Sequence, residues 1–163
     1  MKLQKFLSPL RRAIEDYGMI EEGDRIAVGL SGGKDSMALL RGLAALRRFY
    51  PKPFELCAVT IDMGYKESDF TPLSDFCSAL GVPFFLEHTD IKEIVFDIRK
   101  EENPCSLCAK MRRGAVNEAA SRRGYHKVAL GHHFDDVIET IVMSMLYGAQ
   151  VNTMMPKLHS THF

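Results

Sequence analysis

The stretch that decides the fold is RIAVGLSGGKDS, residues 25–36. Its first half is mostly apolar, as in a strand buried on both faces of a parallel sheet. Its second half combines two glycines with two serines and a lysine, and a helical run follows to about Tyr50. Glycine lets phosphate oxygens approach the backbone, and free N–H groups at a helix start form an anion site. The stretch therefore predicts a strand, a phosphate-binding turn and a helix.

The same residues exclude two common phosphate loops. A Walker A loop needs glycine where this chain has Val28, and serine or threonine where it has Asp35. No G-x-G-x-x-G occurs in the chain, so the dinucleotide fingerprint is absent. The alternative interpretation is a glycine-rich turn that only joins a strand to a helix.

The rest of the chain repeats the alternation of short apolar runs and helical runs. Further strands are predicted at 55–61, 83–88 and 127–130, and helices at 2–19, 71–80, 91–98, 106–123 and 135–147. Four strand–helix units predict parallel strands with right-handed crossovers. The predicted fold class is α/β, a three-layer doubly wound parallel sheet. Residues 1–163 are expected to form one domain that begins with a helix over about 1–20.

Composition narrows the class of protein. The 163 residues are 46% hydrophobic and 26% charged, which excludes a disordered tail and a disulfide mini-protein. Lys+Arg and Asp+Glu are both 21, so net charge is zero and does not point to nucleic acid. The most apolar late stretch, 137–148, is too short to span a membrane. Four cysteines without a secretory signal predict a reducing, cytoplasmic location.

A C-x-x-C pair, Cys105 and Cys108, lies before a basic helix. Two thiolates at this spacing can bind a metal or cluster or form a reversible disulfide. Zinc needs two further ligands, and no second C-x-x-C exists. Cys57 lies in an apolar strand and Cys77 on a predicted core face, so both are predicted to be packing residues. Two incidental helix cysteines remain the alternative.

A second signature, GHHFDD at 131–136, follows the fourth predicted strand. Gly131 permits close approach of a nucleotide. Asp135 is favoured at a helix start by the helix dipole, so a simple cap is the alternative. His132 and His133 are candidate acid–base groups near neutral pH. The sequence does not say which of the two faces the site.

A basic segment follows the cysteine pair. It contains one acid, Glu118, and six cations: Lys110, Arg112, Arg113, Arg122, Arg123 and Lys127. A solvated helix face is one interpretation, and contact with an RNA backbone is the other. No aromatic ladder for stacking bases is evident, so base recognition has no assigned residue.

Three motifs in this order, GLSGGKDS, PCSLC and GHHFDD, resemble the N-type ATP pyrophosphatases, or PP-loop superfamily, and within it the tRNA 2-thiocytidine synthetase family. The resemblance covers about Arg25 to Lys157. It implies an adenine nucleotide alpha hydrolase-like fold and adenylation of the C2 oxygen of an anticodon-loop cytidine, which sulfur then replaces. The implied cofactors are ATP, Mg²⁺ and a [4Fe-4S] cluster. The implied partners are tRNA and sulfide or a sulfur-donor protein, and a homodimer is compatible with it.

The resemblance also implies roles for individual residues. The nucleotide ligands are Gly29, Leu30, Ser31, Gly32, Gly33, Lys34, Asp35, Ser36, Ile61, Asp62, Gly131 and His132. Cluster ligands are Cys105 and Cys108, and magnesium is held by Asp35 and Asp135. The catalytic groups are Lys34, Arg112 and Asp135. RNA is contacted by Lys110, Arg112, Arg113, Arg122 and Arg123.

The chain departs from the family at its carboxyl end. In the family a third cysteine from a later segment completes the cluster ligation, but no cysteine follows Cys108 before Phe163. We therefore expect a truncated chain that binds ATP and holds a cluster poorly. Two alternatives stay open: another adenylating enzyme of the tRNA lysidine synthetase or amide-forming type, and a non-catalytic nucleotide-binding or iron–sulfur sensing domain.

Overall fold

The computed structural model describes residues 3–65, 68–100 and 104–159. Four strands are present: β1 (Asp24–Gly29), β2 (Phe54–Asp62), β3 (Phe84–His88) and β4 (Lys127–Ala129). The helices are α1 (Leu3–Asp16), α2 (Lys34–Leu46), α3 (Thr71–Ala79), a π-helix (Glu93–Arg99), α4 (Pro104–Arg122) and α5 (Phe134–Gly148). The predicted order of strands and helices is confirmed.

The four strands form one parallel sheet in the order β3-β2-β1-β4. β1 pairs with β2 through Gly29 and Val59, and with β4 through Ile26 and Lys127. The chain moves outward from β1 to β3 and then crosses to the other side of β1. Strand order therefore reverses between β1 and β4, and at such a switch point a doubly wound sheet opens a crevice at the carboxyl ends of its strands.

Alternate residues of the central strands enter two separate cores. Ile26 and Val28 of β1 belong to the larger core, which the first three helices cover. Ala27 of β1 and Cys57 of β2 face the smaller core, which contains Ala119 and other residues of α4. Because successive side chains of a strand point to opposite faces, this division confirms the three-layer α/β/α sandwich.

The amino end of the sheet is closed by Asp24, which is 5% exposed. Its carboxylate accepts hydrogen bonds from the Glu21 amide at 2.6 Å, Lys127 Nζ at 2.6 Å and His126 Nε2 at 3.0 Å. Burial alone raises the pKa of Asp24, but these hydrogen bonds outweigh it and hold the pKa below its ordinary value. The network joins β4 to β1 at this end, while the carboxyl end stays open.

The largest differences from the sequence prediction concern three helices. α1 ends at Asp16, just before Gly18 adopts a φ of +53°. The helix predicted at 91–98 is the π-helix Glu93–Arg99. α4 begins at Pro104, two residues earlier than predicted, because proline suits the first position of a helix. Both cysteines of the pair therefore lie in the first turns of α4.

Among the described residues no helix is long and apolar enough to cross a membrane. α5 contains no buried residue, so its apolar side chains contribute to neither core.

Candidate functional site

A cavity of about 500 Å³ opens beyond the carboxyl ends of β1 and β2. Residues from four parts of the chain line it: the turn after β1, the end of β2 with the loop that follows, the middle of α4, and the segment before α5. From the turn come Gly29, Leu30, Ser31, Gly33, Asp35 and Ser36, and from the other parts Ile61, Met63, Tyr65, Phe70, Arg112, Arg113, Leu130, Gly131 and His132. The cavity therefore brings the predicted phosphate turn together with the second signature.

The turn after β1 is held in shape by its two serines. Ser36 Oγ donates to the Gly33 carbonyl at 3.0 Å, and it lies within 3.2 Å of the Ser31 amide and 3.1 Å of Ser31 Oγ. Gly32 has a φ of +81°, a conformation that favours glycine over other residues. These contacts fix the backbone at the start of α2, where N–H groups and the helix dipole favour an anion.

Gly131 packs directly on that turn. A Cβ at this position would lie 2.8 Å from the Ser36 amide nitrogen and 2.9 Å from the Asp35 carbonyl carbon. The second signature therefore needs glycine here to lie against the backbone of the first. Sequence reasoning attributed this glycine to contact with a nucleotide, and that contact stays a prediction.

The two histidines of the second signature occupy different places. His132 lines the cavity. His133 lies between carboxylates, with Nε2 3.9 Å from Asp35 Oδ2 and Nδ1 3.9 Å from Asp135 Oδ2. The His133 amide also donates to Asp136 Oδ2 at 2.6 Å, so Asp136 caps α5. One imidazole thus links the first turn of α2 to the first turn of α5.

Magnesium was assigned to Asp35 and Asp135. Both carboxylates lie beside the phosphate turn, on either side of the His133 ring. Within the described ranges, no cluster of three or more His, Cys, Asp or Glu side chains suits a metal ion. Mg²⁺ commonly takes one or two carboxylates and completes its shell with water and substrate phosphates. Carboxylate oxygens are suitable donors for Mg²⁺, but the His133 ring lies between these two, and their joint role stays a prediction.

Two residues at the end of β2, Ile61 and Asp62, are predicted to contact adenine or ribose, and the structure gives them different surroundings. Ile61 lines the cavity, whereas the Asp62 side chain is not part of its lining. Asp62 accepts a hydrogen bond from the Gly64 amide at 2.9 Å and lies 2.9 Å from His88 Nδ1. The Gly64 hydrogen bond, with help from His88, holds the pKa of Asp62 below its ordinary range. The Asp62 carboxylate thus holds the loop, and nucleotide contact by it stays a prediction.

The sequence prediction does not include the cavity-lining residues of the loop after β2, among them Met63, Tyr65 and Phe70. They follow β2 as the phosphate turn follows β1. The rule that ligands bind beyond the carboxyl ends of parallel strands would have drawn attention to this loop. Its residues match no phosphate motif, so only their position after a central strand indicates that they line the site.

The cysteine pair lies beside the cavity. Cys105 is exposed and Cys108 half-buried, and both are free thiols. Cys108 Sγ lies 3.7 Å from the sulfur of Met63, which itself lines the cavity. Residues three apart share one face of a helix, and soft thiolates suit iron–sulfur clusters. The two residues therefore fit as a pair of cluster donors.

The other two cysteines, Cys57 and Cys77, are fully buried. Burial raises the pKa of Cys57 to about 11 and also raises the pKa of Cys77. Both thiols are therefore disfavoured as thiolate ligands, and their predicted role in packing is confirmed. No third cysteine ligand is present among the residues that the structure describes.

The arginines of α4 and of the turn that follows it divide into two groups. Arg112 and Arg113 line the cavity, and neither has a hydrogen-bond or ion-pair partner within the described part of the chain. Arg122 and Arg123 both bind the Glu87 carboxylate, and Arg123 also donates to the Ala119 carbonyl at 2.8 Å. The Arg122 hydrogen bond holds the pKa of Glu87 below its ordinary range.

The sequence profile of the PP-loop domain, named ATP_bind_3, matches residues 2–161. The chain belongs to this PP-loop family. Membership confirms the resemblance that the phosphate turn suggested.

Curated relatives narrow the resemblance. The chain is 45% identical over 161 residues to a tRNA-cytidine(32) 2-sulfurtransferase of Bordetella avium, covering 98% of this chain and 51% of that protein. It is 44% identical to the protein of that name from Alkalilimnicola ehrlichii, covering 98% of this chain and 52% of the relative. The predicted similarity to tRNA 2-thiocytidine synthetases is thereby confirmed. The chain spans about half the length of the curated relatives it matches.

Solved structures support the fold. The U34-tRNA thiolase NcsA from Methanococcus maripaludis, solved with its [4Fe-4S] cluster, matches with a TM-score of 0.73 and 24% identity, covering 90% of this chain and 51% of that one. An NH3-dependent NAD synthetase from Campylobacter jejuni matches with a TM-score of 0.54 and 19% identity, covering 93% and 62%. At these identities the match shows the architecture alone.

Proposed function

We propose that this chain is the ATP-binding part of an enzyme that thiolates a cytidine of tRNA. One observation carries the proposal: the phosphate turn, the second signature and the cysteine-bearing helix meet at a single cavity. The curated relatives, which are named tRNA-cytidine(32) 2-sulfurtransferases, support the choice of tRNA as substrate.

ATP is placed with its phosphates on the turn 29–36. There the amides at the start of α2 meet the phosphate oxygens, while Lys34 and Arg112 offset their charge. Asp35 and Asp135 would hold Mg²⁺ beside them. The C2 oxygen of the cytidine attacks the α-phosphorus and expels pyrophosphate. A sulfur nucleophile then adds at C2, and AMP leaves with the oxygen.

The sulfur step is assigned to the cysteine pair. Cys105 and Cys108 would hold a [4Fe-4S] cluster, whose chemistry when bound is to carry sulfide to the activated carbon. The contact between Cys108 and Met63 places the first turns of α4 next to the cavity. A cluster held by these two thiolates would therefore lie beside the cavity in which we place the cytidine.

RNA contact is assigned first to the free cations near the cavity. Lys110, Arg112 and Arg113 lie within two turns of the cysteine pair on α4, where they can reach an RNA backbone. Arg122 and Arg123 keep their predicted RNA role only after release from Glu87. Sulfide or a sulfur-donor protein, a homodimer and a cytoplasmic location complete the proposal, the last supported by four free cysteines.

Anaerobic reconstitution with iron and sulfide tests the proposal. The wild-type chain is incubated with ATP, Mg²⁺, sulfide and unmodified tRNA, and released AMP, pyrophosphate and 2-thiocytidine are measured. We expect release to depend on tRNA. Cys105→Ser should abolish thiolation while ATP binding is kept, because the serine hydroxyl is a poor iron ligand.

Cys77→Ala is the matched control, since it removes a thiol that is fully buried. It should retain iron and thiolation. Equal iron content in the wild type and in Cys105→Ser after reconstitution would contradict the cluster assignment. Absence of AMP release with tRNA, despite ATP binding, would favour a non-catalytic nucleotide-binding domain.

A further inference from the structure

At the rim of the cavity an ammonium group lies over one face of an aromatic ring, which leaves the other face for a ligand. Tyr65 lines the cavity and is 43% exposed. Lys92 Nζ lies 5.2 Å from the centre of its ring. The Lys92 amide donates to the Met63 carbonyl at 3.0 Å, which ties the start of the π-helix to the loop that carries Tyr65. The pair is thus positioned by the backbone and open to a ligand.

A ring beside a cation matches one nucleotide of single-stranded RNA. Unpaired bases stack on exposed aromatic side chains, and a lysine ammonium binds the adjoining phosphate. The two groups together offer what one base and its phosphate require. This is the base contact for which the sequence motifs supply no residue.

The sheet order separates a phosphate bound at Lys92 from the triphosphate placed at the phosphate turn. The phosphate turn follows β1, Tyr65 follows β2 and Lys92 follows β3, and these strands lie in the order β3-β2-β1. Strand spacing of about 4.8 Å places the exit of β3 about 10 Å from that of β1. A phosphate at Lys92 is therefore separate from a triphosphate bound at the turn, as in a polynucleotide.

We infer that Tyr65 and Lys92 form a subsite for one unpaired nucleotide of the RNA substrate, with the base on the ring and the phosphate on the ammonium. The inference rests on the proposed function and adds two residues to it. Neither residue belongs to the three motifs that identify the family.

A single-tryptophan reporter tests where the base lies. The chain contains no tryptophan, so Tyr65→Trp creates a unique fluorophore at the subsite. An anticodon stem-loop of tRNA should quench it in a saturable way, whereas Mg·ATP alone should not. Tyr17→Trp is the control, because Tyr17 is also exposed but lies near the amino end of the sheet. Quenching of the Tyr65→Trp variant by ATP alone would assign the ring to adenine and overturn the inference.

Affinity measurements test the strength of the contact. Tyr65→Ala should raise the Kd for the stem-loop about 5- to 150-fold, the usual effect of losing one stacked base. Tyr65→Phe should stay within about twofold of wild type, because it keeps the ring. Lys92→Gln should lower the slope of log Kd against log salt by about one. The Kd for ATP should be unchanged in all three variants.

The outcomes separate this inference from the function on which it rests. If the wild-type chain does not bind the stem-loop, the proposed function fails. If it binds and Tyr65→Ala binds equally well, only the subsite is wrong. An unchanged Kd for ATP shows in each case that the variant is folded.

Discussion

Helix α4 and the residue that follows it carry two pairs of adjacent arginines in different surroundings. Arg112 and Arg113 line the cavity and have no ion-pair partner in the described part of the chain. Arg122 and Arg123 share the Glu87 carboxylate. A run of cations that is uniform in sequence is therefore divided in the structure: the first pair is available to a ligand and the second binds the protein itself.

The neighbouring strand explains the difference. Phe85 and Glu87 lie two residues apart on β3 and so face the same side of the sheet. The Arg123 guanidinium lies 4.7 Å from the centre of the Phe85 ring while it pairs with Glu87. No comparable acid among the described residues pairs with the first two arginines. Position relative to β3 thus decides which cations remain free.

The largest expected effect is on catalysis. Arg112→Ala should lower the rate of tRNA-dependent AMP release about 10²- to 10³-fold, as expected for loss of one group that stabilises transition-state charge. Its free energy of unfolding should change by less than about 0.5 kcal/mol, because Arg112 is exposed. Single-turnover assays and urea denaturation measure the two quantities.

Arg122→Ala is the matched variant for this test. It should keep the rate within about twofold, since its partner is Glu87. Equal loss of rate in both variants would remove the functional distinction between the two ends of α4.

The next effect is on stability. Glu87→Gln removes the charge that holds Arg122 and Arg123, and we expect a loss of about 1 kcal/mol in the free energy of unfolding. For a chain of this size that corresponds to about 2–4 °C in Tm. Calorimetry measures it, with Glu22→Gln, an exposed carboxylate in a turn, as control. An unchanged Tm would mean that the second arginine pair contributes no stability.

The smallest expected effect is the pH dependence of the difference in unfolding free energy between the wild type and Glu87→Gln. The pKa of Glu87 is lowered in the folded state, mainly by the Arg122 hydrogen bond. Its contribution is therefore complete above the unfolded value of about 4.3 and is lost as pH falls through the lower folded pKa. The difference in unfolding free energy between wild type and Glu87→Gln should be constant near pH 7 and shrink below about pH 4. A gap that persists in acid would point to packing on Phe85 as its source.

Much of the fold could be predicted because its signals are local. Apolar runs marked the strands, and the glycines at 32 and 33 marked the turn between β1 and α2. Helix α4 begins two residues before its predicted start, because Pro104 suits the first position of a helix. The π-helix was predicted as an ordinary helix, since the same apolar pattern suits both.

The site was predicted less completely. The phosphate turn and Gly131 lie together as expected. The Asp62 side chain lies outside the cavity lining because Gly64 and His88 hold it. Met63 and Tyr65 were missed, since their position depends on the order of the strands and on no motif of their own.

Sequence alone identifies the α/β alternation and the phosphate turn, because backbone preferences and apolar periodicity act between near neighbours in the chain. It identifies the family through the resemblance of three motifs. The structure alone decides that His132 lines the cavity while His133 lies between Asp35 and Asp135. It also decides which arginines of α4 are free. These outcomes depend on groups from distant segments meeting at the sheet, and their distances are set by tertiary packing.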